Sequence, residues 1–317
     1  MKVLVCPLNW GLGHATRCVP LIRQYLCEGH EVVLAADGYP LAFLKQEFPD
    51  IRTLNFPSYR IAYSAGNSQV WAMLRSVPYI FFGIVAEHCR LQKILAREHF
   101  DVVISDNRFG LWTKRARSIY ITHQLMVKMP SGLRVLENPV RLLHRFFISR
   151  YDECFVPDFE ECPNLSGDLS HRYPLLPNTR FIGPLSRFGS FQDIAPDKRY
   201  RVVAVVSGPE PQRSLFERNL IEQYKDKDYS TLIICGKPEA ENPESQIGNV
   251  TLKSHLNDSQ LAAVLVGADK IICRSGYSGI MDLWTLKCID KTDFVPTPGQ
   301  TEQEYLAAYI SATYRNL

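Results

Sequence analysis

The chain has 317 residues, 46% hydrophobic and 22% charged, as in soluble globular proteins, and its length predicts two domains. The net charge of +3 is too small to favour a nucleic-acid partner, and no secretory segment or membrane-spanning run is visible, so we expect a cytoplasmic protein. The nine cysteines show no metal-ligand spacing, which predicts reduced thiols and no metal site.

Short apolar runs alternate with segments of helical periodicity, which is typical of parallel α/β architecture. In the first half, the predicted strands are Lys2–Cys6, Glu31–Ala35, Ile51–Asn55, Asp101–Ser105, Ser118–Thr122 and Asp152–Val156. The predicted helices there are His14–Glu28, Pro40–Gln46, Gln69–Arg97 and Arg134–Ser149. A last short strand then meets a Gly-Pro break at Gly183, and we place the domain boundary after Leu185.

The alternation restarts beyond this boundary. The predicted strands of the second half are Arg201–Val206, Ser230–Cys235, Val250–Lys253 and Lys270–Cys273. The predicted helices are Pro211–Lys225, Asp258–Val266, Tyr277–Leu286 and Thr301–Ala312. The sequence therefore predicts an α/β protein of two doubly wound domains, residues 1–185 and 186–317.

A glycine-rich turn, Gly11-Leu12-Gly13-His14, follows the first strand and opens a helix. The N–H groups and positive dipole end of such a helix favour a bound ligand. The same dipole keeps a histidine neutral, so His14 is a candidate general base; the alternative is that it only caps the helix. With Asp37 the glycines could also form a nicotinamide-dinucleotide site, although Thr16 replaces the third glycine of that fingerprint.

Two turns of the second half have the same design. Ser207 and Gly208 follow one strand, and Arg274-Ser275-Gly276 follow another. Their backbone N–H groups could hold a phosphate, with Arg213 as an additional donor, or they could be ordinary strand-to-helix turns. Asp282 lies two turns into the next helix, where a carboxylate could reach a ribose; a solvated or capping acid is the alternative.

A third segment combines a rigid turn, Pro296-Thr297-Pro298-Gly299, with the start of the last helix. The first turn of that helix carries Gln303 and Glu304. Amides and carboxylates suit sugar hydroxyls, which need both donors and acceptors. A capping box between Thr301 and Glu304 is the general structural alternative, and the two interpretations are compatible.

The motifs Gly-Leu-Gly-His, Arg-Ser-Gly-Tyr-Ser-Gly-Ile-Met-Asp and Pro-Thr-Pro-Gly-Gln-Thr-Glu-Gln-Glu occur in this order. Together they resemble the GT-B glycosyltransferases that use nucleotide sugars, and most closely the branch of the peptidoglycan N-acetylglucosaminyltransferase, glycosyltransferase family 28. The resemblance implies two Rossmann-like domains facing each other across a cleft. It also implies an inverting, metal-independent transfer from a UDP sugar, with the nucleotide sugar as co-substrate and no resident cofactor.

The resemblance assigns roles by position. His14 corresponds to the base, Arg274 to the diphosphate turn, and Asp282 to the ribose contact. His255 and Leu256 lie near the segment that contacts uracil. With the residues of the glycine-rich turns, the expected donor contacts are Gly13, Ser207, Gly208, Arg213, His255, Leu256, Arg274, Ser275, Gly276, Ser278, Asp282, Gln303 and Glu304.

Two departures from the family leave alternatives open. The glycine-rich donor loop is replaced by Ser-Gly-Pro-Glu-Pro-Gln, and Ile289–Phe294 carries four polar residues where an apolar strand is expected. One alternative is a GT-B sugar-nucleotide epimerase, which needs no acceptor. The other is a degenerate protein that binds sugar nucleotides without transferring the sugar.

The acceptor is expected on the first domain. Asp106, Asn107 and Arg108 end one predicted strand, and His123 follows the next, so topology places them at one sheet edge as acceptor contacts. The acceptor would be a sugar, a glycan or a glycolipid of the cell envelope.

A membrane contact is a related expectation. Residues 114–150 contain eight Lys or Arg against one acid, interleaved with leucines and phenylalanines. The predicted helix Arg134–Ser149 could lie on anionic lipid at the inner membrane face, together with an aromatic run from Trp71 to Phe82. The alternative is that the apolar stripe is buried in the core and the basic residues are solvated.

Overall fold

The structure is a computed structural model that describes residues 1–58, 69–191, 193–237 and 244–314, with backbone only at 69–77 and 131. The chain divides into two compact units, Met1–Leu185 and Ser186–Leu317. Among the described residues, no helix has the length and apolar character needed to cross a membrane. Trp71, part of the predicted aromatic run, is one of the residues whose side chain lies outside the description.

The first unit contains a seven-stranded parallel sheet with the order β3-β2-β1-β4-β5-β6-β7. Its strands are β1 (Lys2–Pro7), β2 (Glu31–Ala36), β3 (Thr53–Asn55), β4 (Val102–Asp106), β5 (Arg117–Ile121), β6 (Glu153–Val156) and β7 (Thr179–Phe181). Its helices are α1 (Leu12–Cys27), α2 (Gly38–Glu47), α3 (Gln69–Arg97), α4 (Glu137–Ile148) and α5 (Asp168–His171), with a 3₁₀ helix at Ser131–Leu136.

The strand order reverses between β1 and β4, because β1 pairs with β2 on one side and with β4 on the other. Such a switch point opens a crevice beyond the carboxyl ends of the two strands. The central strands are apolar on both faces, as in a parallel sheet covered by helices; Val3 to Cys6 of β1 are all fully buried.

A buried ion pair joins the end of β4 to α3. Arg108 is completely buried, and its Nε donates to Glu87 Oε1 at 2.8 Å. Its other nitrogens donate to the carbonyl oxygens of Pro7, Phe56 and Pro57. Arg108 therefore has a structural role in place of the predicted acceptor contact, because its donors are directed at protein atoms and its side chain does not reach the surface.

The second unit contains a six-stranded sheet with the order β10-β11-β9-β8-β12-β13, parallel except for the β10–β11 hairpin. Its strands are β8 (Val202–Val205), β9 (Thr231–Ile234), β10 (Ser245–Ile247), β11 (Val250–Lys253), β12 (Lys270–Cys273) and β13 (Thr292–Phe294). Its helices are α6 (Gln212–Tyr224), α7 (Asp258–Gly267), α8 (Tyr277–Thr285) and α9 (Thr301–Tyr314). The predicted α/β class with two Rossmann-like sheets is confirmed.

The polar segment that departs from the family forms an edge strand. β13 ends the sheet and pairs with β12 alone, so its outer side needs no apolar cover. Asp293 forms an ion pair with Lys270 of β12, with 2.6 Å between Oδ2 and Nζ. Charged side chains on an edge strand also oppose pairing with other chains, so the polar composition fits its place in the sheet.

We expect Arg108→Met to lower the free energy of unfolding of the first unit by about 3–5 kcal/mol, because it leaves the Glu87 carboxylate buried without its partner. Arg23→Met is the matched control. Arg23 pairs with Glu47, but both side chains are partly exposed, so the loss should be below about 1 kcal/mol. Urea unfolding of the two variants measures the difference, and equal losses would contradict the structural role of Arg108.

Candidate active site

The candidate base of the first unit lies at the switch point of its sheet. Pro7 at the end of β1 is in register with Asp106 at the end of β4. The chain then turns through Gly11, whose φ of 103° is in the left-handed region that favours glycine, and α1 begins at Leu12. The third residue of α1, His14, is thereby placed above the end of β4.

His14 and Asp106 form a hydrogen-bonded pair, with 2.6 Å between Nδ1 and Oδ1. The cap of α1 is Gly11, and His14 does not serve as the cap, so the contacts do not support the capping alternative. Asp106 is completely buried. This burial corrects its expected role as an acceptor contact: its oxygens are directed at His14 and Arg17, and it orients the imidazole.

Arg17 completes this cluster and was not among the predicted site residues. It is 2% exposed, and its Nε and Nη2 both donate to the Asp106 carboxylate. Its Nη1 lies 3.0 Å from His123 Nδ1. A sequence signal existed, since Arg17 follows His14 by three residues and so lies on the same face of α1.

The charges of the cluster follow from its burial. Burial by itself would raise the pKa of Asp106, but the positive charge of Arg17, the interaction with His14 and the hydrogen bonds from both outweigh it and hold the pKa at about 2. Burial, together with the charge of Arg17, lowers the pKa of His14. At neutral pH Asp106 is therefore ionised and His14 is neutral, which is the form in which an imidazole can accept a proton.

The other predicted acceptor residues lie around this cluster. His123 is 8% exposed and contacts Arg17. Asn107 has a φ of 58° and accepts a hydrogen bond from the Tyr120 hydroxyl at 3.0 Å. The structure thus brings His14, Asp106 and His123 together, while Asn107 turns to the neighbouring strand. A depression of about 580 Å³ beside residues 95–100 lies at the opposite ends of the strands.

In the second unit, the turns after β8 and β12 lie side by side at the switch point of that sheet, where Val205 is in register with Cys273. Ser207 and Gly208 are exposed, and Gly208 has a φ of 111°. Gly276 caps α8, and a Cβ added to it would meet no atom within 4 Å. The first turn of α8, including the half-exposed Ser278, therefore begins beside open space, as an anion site requires.

Arg274 does not present its guanidinium to this space. It is 6% exposed and donates to the carbonyl oxygens of Pro296 at 2.8 Å, Gln212 at 3.2 Å and Val295 at 3.4 Å. Its planar group also lies 4.0 Å from the ring centre of Phe216. The side chain thus ties the three segments around the turns together, and its diphosphate contact stays a prediction.

Arg213 is likewise directed at protein atoms. Its Nε donates to Glu210 at 2.8 Å, and its Nη1 donates to Glu217 at 2.9 Å and to the Cys235 carbonyl at 3.0 Å. The side chain is therefore not placed as the predicted phosphate donor. The pairing has a second effect, since it balances the negative charge that Glu210 would otherwise bring to the turn after β8.

Asp282 lies in a separate cluster with Ser186 and Arg187. Asp282 accepts a hydrogen bond from the Ser186 hydroxyl at 2.6 Å and lies 3.7 Å from Arg187 Nε. Burial raises its pKa to about 6 against the opposing effects of Arg187 and Ser186. Leu256 is buried and His255 is half-buried. In this arrangement Asp282 binds the start of its own unit, so the predicted ribose contact would need it to exchange partners.

The other residues predicted to contact the nucleotide-sugar donor form hydrogen bonds that stabilise turns. Gln303 Oε1 accepts from the Thr297 N–H at 2.9 Å, and Glu304 Oε1 accepts from the Gly299 N–H at 3.2 Å. The buried Ser275 hydroxyl donates to the Gln303 carbonyl at 2.7 Å. These contacts tie the first turn of α9 to the turn that precedes it. In the first unit, the Gly13 carbonyl accepts from the Thr16 hydroxyl at 3.1 Å within α1.

The chain is similar in sequence and fold to proteins named as glycosyltransferases. No protein-family model matches the chain. An uncharacterized glycosyltransferase of Methanosarcina acetivorans is 26% identical over 301 residues, covering 89% of this chain and 74% of that protein. The structure of Arabidopsis thaliana UGT89C1 complexed with UDP-L-rhamnose matches with a TM-score of 0.59 at 16% identity, covering 99% of this chain and 83% of that one. Acinetobacter baumannii MurG matches with a TM-score of 0.54 at 14% identity, covering 98% and 83%.

The predicted resemblance to the GT-B glycosyltransferases is thereby confirmed, and MurG is a member of the branch that the motifs resemble. The prediction that the chain is a glycosyltransferase is confirmed as well. The fold provides two Rossmann-like units, and the residues provide one neutral, oriented histidine in the first unit and two open turns in the second.

The contacts of Arg274 predict a loss of stability when they are removed. Arg274→Met leaves the carbonyl oxygens of Gln212, Val295 and Pro296 without this donor, and we expect the second unit to lose on the order of 3 kcal/mol. Arg218→Met, at an exposed position of α6, is the control and should change little. Thermal unfolding measures both. An Arg274→Met protein with unchanged stability and greatly weakened nucleotide binding would restore the ligand role.

Proposed function

We propose that the chain transfers a sugar from a UDP sugar to an acceptor hydroxyl with inversion at the anomeric carbon. The observation that carries this proposal is the neutral His14 oriented by the buried Asp106 at the switch point of the first sheet. A UDP donor is supported by the motif resemblance and by one structural neighbour, UGT89C1, which is complexed with UDP-L-rhamnose.

The proposed reaction is a single displacement. Nε2 of His14 accepts the proton of the acceptor hydroxyl as its oxygen attacks the anomeric carbon. The bond between that carbon and the phosphate oxygen breaks, and its electron pair leaves with the nucleoside diphosphate. Attack from the face opposite the leaving group inverts the configuration.

The charge that develops on the diphosphate has a proposed site in the second unit. The backbone of the turns at Ser207–Gly208 and Gly276 and the N-terminal end of α8 would stabilise it. The positive end of a helix can stabilise this charge without a metal ion, which supports the metal-independent form of the reaction. With the arginines directed at backbone and carboxylate groups, we assign the donor contacts mainly to peptide N–H groups.

A glycolipid acceptor and a peripheral membrane contact are part of the proposal. On α3, the side chains of Phe81 and Phe82 are 58% and 71% exposed; on α4, those of Leu143 and Phe146 are 54% and 50% exposed. The two helices are neighbours, since Phe147 of α4 packs in one cluster with residues of α3. The alternative to membrane contact is that the apolar stripe of α4 is buried in the core. Only the inner face of α4, with His144 and Ile148, is buried in this way.

The charge around this apolar surface favours anionic lipid. Arg134 and Arg150 are exposed, and Arg141 and Arg145 lie along α4. Each cation near an anionic bilayer contributes about 1 kcal/mol to binding. The proposed location is therefore the cytoplasmic face of a membrane, where a lipid-linked acceptor would be within reach of the first unit.

We expect His14→Ala to lower turnover by about 10²–10⁴-fold, because the reaction loses its general base. Binding of UDP should remain nearly intact, since the nucleotide contacts are assigned to the second unit. His99→Ala is the control, as the His99 side chain is 79% exposed. Radiolabelled transfer and calorimetric UDP binding separate the two quantities, and full turnover in His14→Ala would contradict the assignment.

The same assay distinguishes the alternatives from the sequence. A UDP sugar that isomerises without any acceptor would identify an epimerase. Binding of UDP sugars with no transfer to any acceptor would identify a degenerate binding protein.

The membrane contact predicts a loss of vesicle binding in the Leu143→Glu/Phe146→Glu variant. Removing two apolar side chains from the bilayer and adding two negative charges should weaken binding to phosphatidylglycerol vesicles by about tenfold or more. Leu215→Glu, at a 40% exposed position of α6, is the control. Vesicle sedimentation at low and high salt measures the effect, and equal binding by the variant and the control would rule out this surface.

A further inference from the structure

We propose that Arg17 is a positioning residue that, through one ion pair with Asp106, holds His14 and His123 in opposite tautomers. His14 would carry its proton on Nδ1 and present Nε2 as an acceptor. His123 would carry its proton on Nε2 and present it as a donor. The use of these tautomers in catalysis rests on the proposed function, whereas the tautomers themselves do not.

The proton on His14 follows from two contacts that share one oxygen. Asp106 Oδ1 accepts from Arg17 Nη2 and lies 2.6 Å from His14 Nδ1. Arg17 Nη2 and His14 Nδ1 lie 2.9 Å apart as the third side of this triangle. The Nη2 hydrogen on this side is donated to Oδ1, so the contact does not require Nδ1 to accept. A carboxylate oxygen and an unprotonated ring nitrogen would repel each other at 2.6 Å, so Nδ1 must carry hydrogen. The carboxylate then accepts from both neighbours, which its lone pairs allow.

The proton on His123 follows from the chemistry of arginine. A guanidinium has donors and no acceptor, and it stays charged in proteins. Arg17 Nη1 lies 3.0 Å from His123 Nδ1, so this nitrogen must accept and cannot carry hydrogen. The proton of the neutral ring is then on Nε2.

The opposite tautomers provide the two functions that a reacting hydroxyl needs. A hydroxyl donates one hydrogen bond and accepts others. His14 supplies the acceptor that takes the proton, and His123 supplies a donor at the same end of the sheet. Among the described residues, the remaining titratable group at the cluster is Cys18, whose Sγ lies 3.7 Å from Asp106 Oδ2. Burial raises the pKa of Cys18 well above its usual value, so it remains a thiol.

Two-bond ¹H–¹⁵N spectra of the imidazole rings in the whole protein test the proposal directly. His14→Gln and His123→Gln variants assign the signals. At neutral pH we expect the wild-type protein to show the Nδ1–H form of His14 and the Nε2–H form of His123. Any other pair of tautomers would overturn the proposal, and this result does not depend on whether the protein transfers sugar.

The role of Arg17 itself is tested by two substitutions. Arg17→Gln removes the charge, so the pKa of His14 should rise, His123 should show mixed tautomers, and the acid limb of kcat/KM should move to higher pH. Arg17→Lys keeps the charge but loses the planar fork, so the pKa of His14 should stay near the wild-type value while His123 loses its single tautomer.

The control for a general effect of losing a buried arginine is Arg108→Gln, which removes the partner of Glu87 elsewhere in the same unit. It should leave the tautomers and the pKa of His14 unchanged in the folded protein. Wild-type tautomers and an unchanged His14 pKa in Arg17→Gln would overturn the proposal. If Arg17→Gln does not fold, the wild-type spectrum and Arg17→Lys still decide it.

Discussion

The carboxylate of Asp106 is buried at the end of β4, and the first unit must supply positive charge to keep it there. An ionised carboxylate without a partner would be strongly destabilising in this position. Arg17 provides the charge from α1, and the helix that carries it also carries His14 one turn earlier. The constraint that stabilises the carboxylate therefore also fixes where the imidazole lies and which way it faces.

In the second unit, two buried arginines stabilise the turns that follow the central strands. Arg213 and Arg274 bind carboxylates and carbonyl oxygens, and so they connect the segments around the turns after β8 and β12. Turns at the carboxyl ends of the strands need these hydrogen bonds, because a buried carbonyl oxygen without a donor lowers the stability of the fold. On the proposed function, a ligand at these turns meets peptide N–H groups and helix ends on a rigid support, an arrangement common in anion sites.

The elements of the fold could be predicted from sequence, because alternating apolar runs and helical periodicity are local signals. His14 and Asp106 could also be selected, since His14 lies in the first turn of a helix that follows a strand and Asp106 ends another strand. Their mutual contact could not, because His14 and Asp106 are 92 residues apart and only the sheet order brings them together. The structural role of Arg274 could not be predicted for the same reason: the carbonyl oxygens that it binds lie in other segments of the chain.

The cluster also bears on the kind of displacement that His14 can support. When His14 takes a proton, the new imidazolium faces the Asp106 carboxylate, which stabilises it, and the Arg17 guanidinium, which opposes it. The opposing charge makes the imidazole a weaker base but keeps it neutral over a wider pH range. A weak base is sufficient when bond breaking to the diphosphate leads and the acceptor hydroxyl loses its proton late. On the proposed function, the first unit is therefore matched to a reaction in which stabilisation of the leaving diphosphate by the second unit supplies most of the rate.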